Sequence, residues 1–266
     1  MNNLNSMNLI LIVALLSTIV FLLSIRLYFS LYYSRTEVPL IKSADINISS
    51  AKIEEMIQKF QFYTNCTDLK IIYERDVPYV KTFCNLKRKK KLILIPIVTF
   101  NSVGYEIDYI LGQIWIASKI YNRNTNIMNY RRVVVIIPIY FRVIYYLFMF
   151  FSFALYILAK INFEEIILQN SFLLFLYRVP VLSLTSISAF IGIVILFLMA
   201  QNLKISLEDY YEMEVSIFVK DQMTGYKSDY LAARVYSRSI PYLLIPTFRI
   251  TKNVEFMKYF GPFAIF

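Results

Sequence analysis

Three stretches of this chain are long, apolar and nearly free of charge. They are Met7–Leu27, which is uncharged before Arg26, Val133–Ala159, which Arg142 interrupts, and Val181–Ala200, which carries no charge. A helix needs about 20 consecutive apolar residues to cross the hydrocarbon core of a bilayer. The sequence therefore predicts a predominantly α membrane protein with three transmembrane helices. Its hydrophobic content of 58% exceeds the share that is ordinary for soluble domains.

The charges between these stretches are unevenly distributed. The loop Tyr28–Arg132 carries many more Lys and Arg than Asp and Glu, including the basic run Lys87–Lys91. The link Lys160–Asn170 carries one Lys and two Glu. Because basic loops stay on the inner side of a membrane, we expect the large loop and the C-terminal piece to share that side. We attribute the net charge of +10 to this bias of basic residues toward the inner side, and we expect no nucleic-acid partner.

Composition indicates an organelle genome. Five Gly against 22 Phe and 22 Tyr, together with abundant Ile, Asn and Lys, is typical of AT-rich codons. We therefore expect the mitochondrial inner membrane, with the large loop and the C-terminus on the matrix side. The bacterial plasma membrane is the alternative. In the matrix, the thiols of Cys66 and Cys84 would stay reduced.

The chain divides into four predicted segments. These are an N-terminal transmembrane helix (1–30), an inner-side α/β segment (31–132), a transmembrane helical hairpin (133–200), and inner-side helices with an aromatic tail (201–266). Pro138 predicts a bend at the entry of the second span, and Pro180 suits the start of the third. The last apolar piece, Ser239–Ile250, is too short to cross a membrane.

Inside the inner-side segments, helical and strand patterns alternate. Ser49 or Ser50 is a good N-cap for a first helix. Two strands are predicted, Leu69–Tyr73 and Lys91–Pro96, with the basic run between them as a hairpin turn or a charged edge. Apolar residues at helical spacing predict further helices: Tyr105–Tyr121, Leu203–Asp221, and one that begins at Ser228 or Asp229 and continues through Tyr236.

This order of elements resembles the YugP-type neutral zinc metallopeptidases, a family of membrane gluzincins. Three local segments carry the resemblance: Thr99-Phe100-Asn101-Ser102, Tyr210-Tyr211-Glu212-Met213-Glu214-Val215-Ser216, and Ala232-Ala233-Arg234-Val235. In that family a first span leads to an α-β-β segment, an H-E-x-x-H helix, two spans, and a helix that carries a glutamate ligand. The resemblance covers roughly Ser49 to Pro246 together with the first span, and implies a metallopeptidase-type inner-side segment.

The zinc ligands of that family are missing, because the chain contains no histidine. Aligned without gaps, the two His and the Glu of the motif fall on Gln113, Ala117 and Ile114. A shift by one residue places them on Gly112, Ile116 and Gln113. Glu212 matches the third ligand, but catalytic zinc needs three protein ligands. Gln113, Ile114, Ala117 and Glu212, named the relic positions below, therefore predict a degenerate scaffold with no catalytic residues, no metal and no cofactor.

Other candidate sites are weighed against plainer structural roles. Carboxylates favour Mg or Ca, and six acidic side chains are candidate ligands: Glu106, Asp108, Glu208, Asp209, Glu212 and Glu214. An ion pair of Glu212 with Arg234 or Arg238 is favoured over it. Arg142 and Arg178 lie near the ends of spans, where snorkelling is favoured over an ion path. Trp115 is expected to be a packing residue.

Three functions are compatible with these features. The favoured one is a non-catalytic accessory subunit of a large mitochondrial inner-membrane complex, in the respiratory chain or ATP synthase, with other membrane subunits and lipids as partners. The second is a free pseudopeptidase that binds a peptide or client beside Gln113 and Glu212, by β-augmentation on the Leu92–Ile95 strand. The third is a small transporter that uses Arg142 and Arg178.

Overall fold

The computed structural model describes residues 2–41, 48–74, 85–96, 100, 102–240 and 261–263. The chain forms two compact units: unit 1 comprises 1–31 and 132–199, and unit 2 comprises 32–131 and 200–266. In chain order, the helices and strands are α1 (Asn2–Arg35), α2 (Ser50–Tyr63), β1 (Lys70–Glu74), β2 (Leu86–Lys87), β3 (Leu92–Pro96), α3 (Val103–Tyr121), α4 (Thr125–Arg131), α5 (Ile137–Ile161), α6 (Ser171–Arg178), α7 (Val181–Gln222) and α8 (Lys227–Ser239).

Three helical stretches are long and apolar enough to cross a membrane. They are Ser6–Phe29, Thr125–Ile161 and Val181–Gln222. The chain is thus a mostly helical protein with the helices of a membrane protein, and this part of the sequence-based prediction is confirmed. Within unit 1 these helices leave large apolar side chains exposed, as expected of surfaces that face lipid, with Ile10 67% and Phe150 65% exposed.

Polar contacts show how the three long helices of unit 1, α1, α5 and α7, run relative to one another. Asn8 Nδ2 donates to Tyr177 O at 3.0 Å, and the Ser152 and Ser183 hydroxyls lie 2.5 Å apart. Further along α1, the hydroxyls of Thr18 and Tyr145 lie 2.8 Å apart. The start of α1 is therefore level with the end of α5 and the start of α7. Consecutive spans alternate in direction, so Leu31, Arg132 and Met199 lie toward one end of unit 1.

The boundaries of the second span differ from the prediction. A π-helical turn, Arg132–Ile136, joins α4 to α5. Pro138 is the second residue of α5. Proline has no N–H and its ring crowds the preceding turn, and a π-turn is one way in which a helix absorbs such a disturbance. After α5, the link contains a second π-helical turn, Phe163–Ile167, and the short helix α6, which the sequence did not predict.

The third span and the helix predicted after it are one element. We expected Val181–Ala200 and Leu203–Asp221 to be separate, but α7 continues without a break. Gln201 and Asn202, at the change from apolar to charged sequence, include neither Gly nor Pro, so nothing in the backbone chemistry interrupts the helix. Pro180 immediately precedes α7, as predicted for a helix start.

Unit 2 contains a three-stranded sheet in the order β1-β3-β2, not the two strands predicted. β1 is parallel to β3, with Lys70 opposite Leu92 and Glu74 opposite Pro96. β2 is antiparallel to β3. The basic run begins in β2 and then forms the turn Arg88–Lys90, so it connects β2 to β3.

The first helix of unit 2 begins where its sequence predicts. The Ser49 hydroxyl accepts a hydrogen bond from Lys52 N at 3.3 Å and caps α2. Met56, Ile57 and Phe60 are buried on one face of α2. Cys66, just after α2, is buried with a free thiol, and burial raises its pKa. Several predicted features lie outside the described residues: Cys84, Thr99, Asn101, and nearly all of Ser239–Ile250 and the aromatic tail.

Candidate functional site

The helix predicted to carry the relic positions is the central helix of unit 2. Every residue of α3 is buried except Glu106, Lys119 and Tyr121. A helix that is buried on all sides needs neighbours on every face, and α3 packs against α2, α4, α8 and the sheet. Gly104 permits the close approach of α8, because a Cβ there would overlap the backbone carbonyl of Asp229 on α8.

A buried charge cluster joins α3 to α7 and α8. The Arg234 guanidinium, which is fully buried, donates to Asp108 Oδ2 at 3.3 Å and also to Glu208 Oε2. Lys204 Nζ lies 3.6 Å from Glu208 Oε1 and donates to Ile240 O at 3.1 Å. The Tyr211 hydroxyl donates to Asp108 Oδ1 at 2.8 Å. The four charges of the cluster cancel.

The cluster keeps its arginine charged. Burial alone would lower the pKa of Arg234, but the charges of Asp108 and Glu208 outweigh it and raise the pKa above its usual value. The guanidinium also lies 4.8 Å above the Tyr211 ring, an arrangement that favours a cation. Buried charges are tolerated when they are paired and hydrogen-bonded. This cluster is thus a structural connection between three helices, with both carboxylates already occupied by cations.

A second polar cluster surrounds the single tryptophan. Trp115 Nε1 donates to Glu214 Oε2 at 2.7 Å, and Lys119 Nζ donates to Glu214 Oε1 at 2.8 Å and to the Tyr210 hydroxyl at 3.1 Å. Burial alone would lower the pKa of Lys119, but hydrogen bonds with Glu214 and Tyr210 outweigh it and raise the pKa. Trp115 packs as predicted and, in addition, hydrogen-bonds one of the acidic side chains.

Among the described residues, Glu212 makes no hydrogen bond or ion pair with the three relic positions on α3. Gln113 is fully buried, and Asn85 Nδ2 donates to its Oε1 at 2.9 Å and to its backbone carbonyl at 3.0 Å. Ile114 and Ala117 are fully buried apolar side chains of the core. Glu212 instead forms an ion pair with Arg238 on α8, with Arg238 Nη1 2.8 Å from Glu212 Oε2.

The four acidic side chains of α7 that were candidates for a metal site all have basic partners; they are Glu208, Asp209, Glu212 and Glu214. Arg238 bonds Asp209 at 2.5 Å in addition to Glu212, which agrees with one of the two ion pairs predicted for Glu212. The other predicted partner, Arg234, pairs with Asp108 and Glu208. Within the described part of the chain, no group of three His, Cys, Asp or Glu side chains has the spacing of a metal site.

The strand proposed for peptide binding is not available for it. β3 is the central strand of the sheet and is bonded to β1 along its whole length. On its other side β3 pairs with Leu86 and Lys87, and Leu94 N donates to Asn85 O at 2.9 Å. The expectation of β-augmentation on Leu92–Ile95 is therefore wrong, because a third strand absent from the prediction covers the second edge.

The two arginines of the transporter hypothesis lie apart in unit 1. Arg142 is in the second turn of α5, where its Nε donates to Pro138 O at 3.1 Å, whereas Arg178 ends α6 near the other end of α5. Between these levels, Asn8, Tyr177, Ser152 and Ser183 line a cavity of about 20 Å³. That volume suits one water molecule, so this cavity does not connect the two arginines.

Asn85, Lys119 and Lys204 are polar residues of these clusters that sequence reasoning missed. Asn85 and Lys119 could not be identified because their partners are distant in sequence: Asn85 is 28 residues from Gln113, and Lys119 is 95 residues from Glu214. Lys204 and Glu208 are the exception, because their i, i+4 spacing on one helix was visible in the sequence.

Glu106 is predicted to cost stability at neutral pH. It is half-buried in the first turn of α3, and burial raises its pKa above the usual value. A carboxyl whose pKa is raised on folding stabilises the fold below its unfolded pKa and loses that contribution as pH rises through its folded pKa. Glu106→Gln should therefore match the parent chain at pH 4 and be more stable at pH 7.5. Urea unfolding in detergent, followed by Trp115 fluorescence, measures this.

The matched control is Glu55→Gln. Glu55 is exposed and pairs with Lys59 at 2.7 Å, and this hydrogen bond lowers the pKa of Glu55. Its loss should not stabilise the chain at pH 7.5. Equal responses of the two variants at both pH values would contradict the burial argument for Glu106.

Comparison of the chain with protein-family models, with curated proteins and with solved structures gave no match. The resemblance to YugP-type metallopeptidases therefore rests on the three sequence segments and on the order of elements.

Proposed function

We propose that this chain is a non-catalytic accessory subunit of a large mitochondrial inner-membrane complex, built on a degenerate metallopeptidase scaffold. The positions that would hold zinc in such a scaffold are Gln113, the core residue Ala117 and the ion-paired Glu212, and the position of the water-activating Glu is the core residue Ile114. These groups pack unit 2 and offer no zinc ligand pair. A respiratory-chain or ATP synthase complex suits an organelle-encoded chain of this composition, and the assignment to mitochondria rests on that composition.

The observation that carries the proposal is an apolar patch on unit 2. It consists of Phe62 and Tyr63 at the end of α2 and of Met213 and Ile217 on α7, with Phe62 77% and Met213 61% exposed. The Tyr63 hydroxyl donates to Glu214 O at 3.2 Å, and the rings of Tyr63 and Phe218 lie 5.5 Å apart. These contacts bring the end of α2 against α7 at Glu214 and Phe218, the residues that follow Met213 and Ile217 in sequence.

Lipid is a poor explanation for this patch. Met213 and Ile217 lie beyond the uncharged run of α7, among Glu212, Glu214 and Asp221, which would be costly inside a bilayer. Contiguous exposed apolar surface on a soluble part of a protein marks a contact with another protein. A subunit that is held in a stable assembly would have this surface covered.

Native fractionation of the source mitochondrial membrane tests the proposal. In mild detergent, followed by mass spectrometry, the chain should migrate in constant ratio with a respiratory or ATP synthase complex. Migration as a free chain, or with clients that vary between preparations, would contradict it and favour the pseudopeptidase. Its absence from mitochondrial membranes would contradict the localisation.

Lysine cross-linking of the same membranes tests the patch. Lys59 lies one turn before Tyr63 and Lys220 lies three residues after Ile217, so both flank the patch. We expect both lysines to cross-link to the same neighbouring subunit. Lys89, in the exposed β2–β3 turn, is the control and should not share that partner. Cross-links from Lys59 and Lys220 only within this chain would contradict the patch as an interface.

One observation keeps the pseudopeptidase as a second candidate. Among the described residues β1 pairs only with β3, and its Ile72 and Tyr73 are exposed. An extended peptide adds to such an unpaired strand edge through main-chain hydrogen bonds. This edge replaces the Leu92–Ile95 strand as the place where a client would bind.

A further inference from the structure

A short segment near the end of the sequence, residues 261–263, packs into the interior of unit 2. These residues form a turn outside any helix or strand, yet the Phe263 side chain is fully buried. Its ring meets two others edge to face, with its centroid 5.9 Å from that of Trp115 on α3 and 5.4 Å from that of Tyr211 on α7. Segment 261–263 therefore fills a space between two helices that are distant from it in sequence.

Two glycines give this segment its close fit. A Cβ at Gly112 on α3 would lie 2.4 Å from Pro262 Cβ, closer than two unbonded carbon atoms can approach. Gly261 has a φ of +91°, a conformation that favours glycine. A Cβ there would lie 2.9 Å from Ser237 Cβ on α8. Since the chain contains only five glycines, the use of two of them at one contact indicates a specific fit.

The residues that contact the segment form a site, which we name the tail site: Gly112, Trp115, Tyr211 and Ser237. Its two rings are oriented by bonds in which segment 261–263 takes no part. Trp115 Nε1 donates to Glu214 at 2.7 Å, and the Tyr211 hydroxyl donates to Asp108 at 2.8 Å. A site whose walls are already fixed loses little entropy when its ligand binds. The tail site can therefore exist without the segment that fills it.

The chemistry of the tail site selects the sequence Gly-Pro-aromatic. The first position needs glycine, because of its positive φ and the nearby Ser237 side chain. Proline at the second position has no N–H that burial would leave without an acceptor, and its fixed φ reduces the entropy lost on binding. Edge-to-face contact with two rings needs an aromatic side chain at the third position. A short peptide carries all three features.

We propose that the tail site is a peptide-binding site for Gly-Pro-aromatic segments, and that segment 261–263 is its intramolecular ligand. A ligand on the same chain binds at high effective concentration, so it keeps the site occupied against free peptides. A Gly-Pro-aromatic segment of another protein would enter only after segment 261–263 is released. The tail site shares no residue with the apolar patch of unit 2 or with β1, and it does not depend on the accessory-subunit proposal.

Rescue by a free peptide tests this inference on the whole chain in neutral detergent. Phe263→Ala removes the buried ring and leaves the tail site unchanged. The emission of Trp115, the only tryptophan, should shift because its ring loses a neighbour. A peptide of residues 258–264, Lys-Tyr-Phe-Gly-Pro-Phe-Ala, should restore the parent emission. It should bind the variant at least about tenfold more tightly than the parent chain, in which segment 261–263 competes.

Two controls separate binding at the tail site from other effects. A scrambled peptide of the same composition enters detergent micelles equally well and should not restore the emission. Gly112→Ala, added to Phe263→Ala, places a methyl group where Pro262 packs. Because alanine favours a helix more than glycine does, α3 should persist, and the peptide should no longer bind.

Helical circular dichroism, recorded with and without the peptide, decides the remaining case. If Phe263→Ala loses helicity and the peptide restores both helicity and Trp115 emission, the proposal is supported. If the peptide restores neither, segment 261–263 is an ordinary part of the core and the proposal is overturned. Equal effects of the two peptides, equal affinity for variant and parent, or binding that survives Gly112→Ala would overturn it as well.

Discussion

Replacing Arg234 by methionine is expected to lower the free energy of unfolding of unit 2 by about 3–5 kcal/mol. Methionine fills similar volume, but it leaves Asp108 and Glu208 buried with no guanidinium beside them. Removing one partner of a buried pair costs more than the pair contributes, because the remaining charge stays desolvated. Trp115 is the only tryptophan of the chain and is fully buried in unit 2, so its fluorescence during urea unfolding in detergent measures the loss.

Arg238→Met is the matched control for that experiment. Arg238 is on the same helix and also bonds two carboxylates, Asp209 and Glu212, but its side chain is 39% exposed. Exposed ion pairs contribute about 0–1 kcal/mol. Comparable losses in the two variants would show that burial of the cluster does not set its contribution.

Replacing Gly104 by alanine is expected to destabilise unit 2 by about 1–3 kcal/mol. The new methyl group would overlap the backbone carbonyl oxygen of Asp229, and a backbone atom cannot turn aside as the end of a flexible side chain does. α3 and α8 would have to separate, and the Arg234 cluster on α8 would be displaced from Asp108 on α3. The same fluorescence measurement applies, with a lower urea midpoint as the expected result.

Gly225→Ala separates this steric effect from the general effect of glycine. No atom lies within 4 Å of a Cβ built at Gly225. Alanine there should be neutral or slightly stabilising, because it restricts the unfolded chain. If Gly104→Ala proved as harmless as Gly225→Ala, the close approach of α3 and α8 would be refuted.

The membrane helices could be predicted because their signal is local. Runs without charge, such as Val181–Ala200, must form helices in a bilayer whatever surrounds them. The cap at Ser49 and the helix that begins at Val103 were also predictable, since capping and helical periodicity are read over a few residues. Only the boundaries moved, and at Gln201 the predicted boundary disappeared because no residue there breaks a helix.

The sheet could not be predicted to the same degree. β2 consists of Leu86 and Lys87 alone, which is too short for a period of two to be visible. Its place beside β3, and the parallel pairing of β1 with β3, are set by contacts across the fold. The expected hairpin between the two longer strands was therefore wrong, and so was the free edge inferred from it.

The candidate site shows the same limit. Glu212 was expected to pair with Arg234 or Arg238, since basic residues on the next helix are its natural partners, and it bonds Arg238. That Arg234 instead reaches Asp108, 126 residues earlier, follows only from the packing of α8 on α3. The pairing of Gln113 with Asn85 likewise depends on where the sheet lies against α3.

The exact charge balance of the buried cluster has a consequence for sequence drift. Two cations, Lys204 and Arg234, balance two anions, Asp108 and Glu208. A single substitution that removes one charge leaves another stranded in the core, whereas apolar replacement of the whole set is tolerated far better. Natural variants of this chain are therefore expected to keep all four residues or to lose them together, so that these positions covary even though they lie on three different helices.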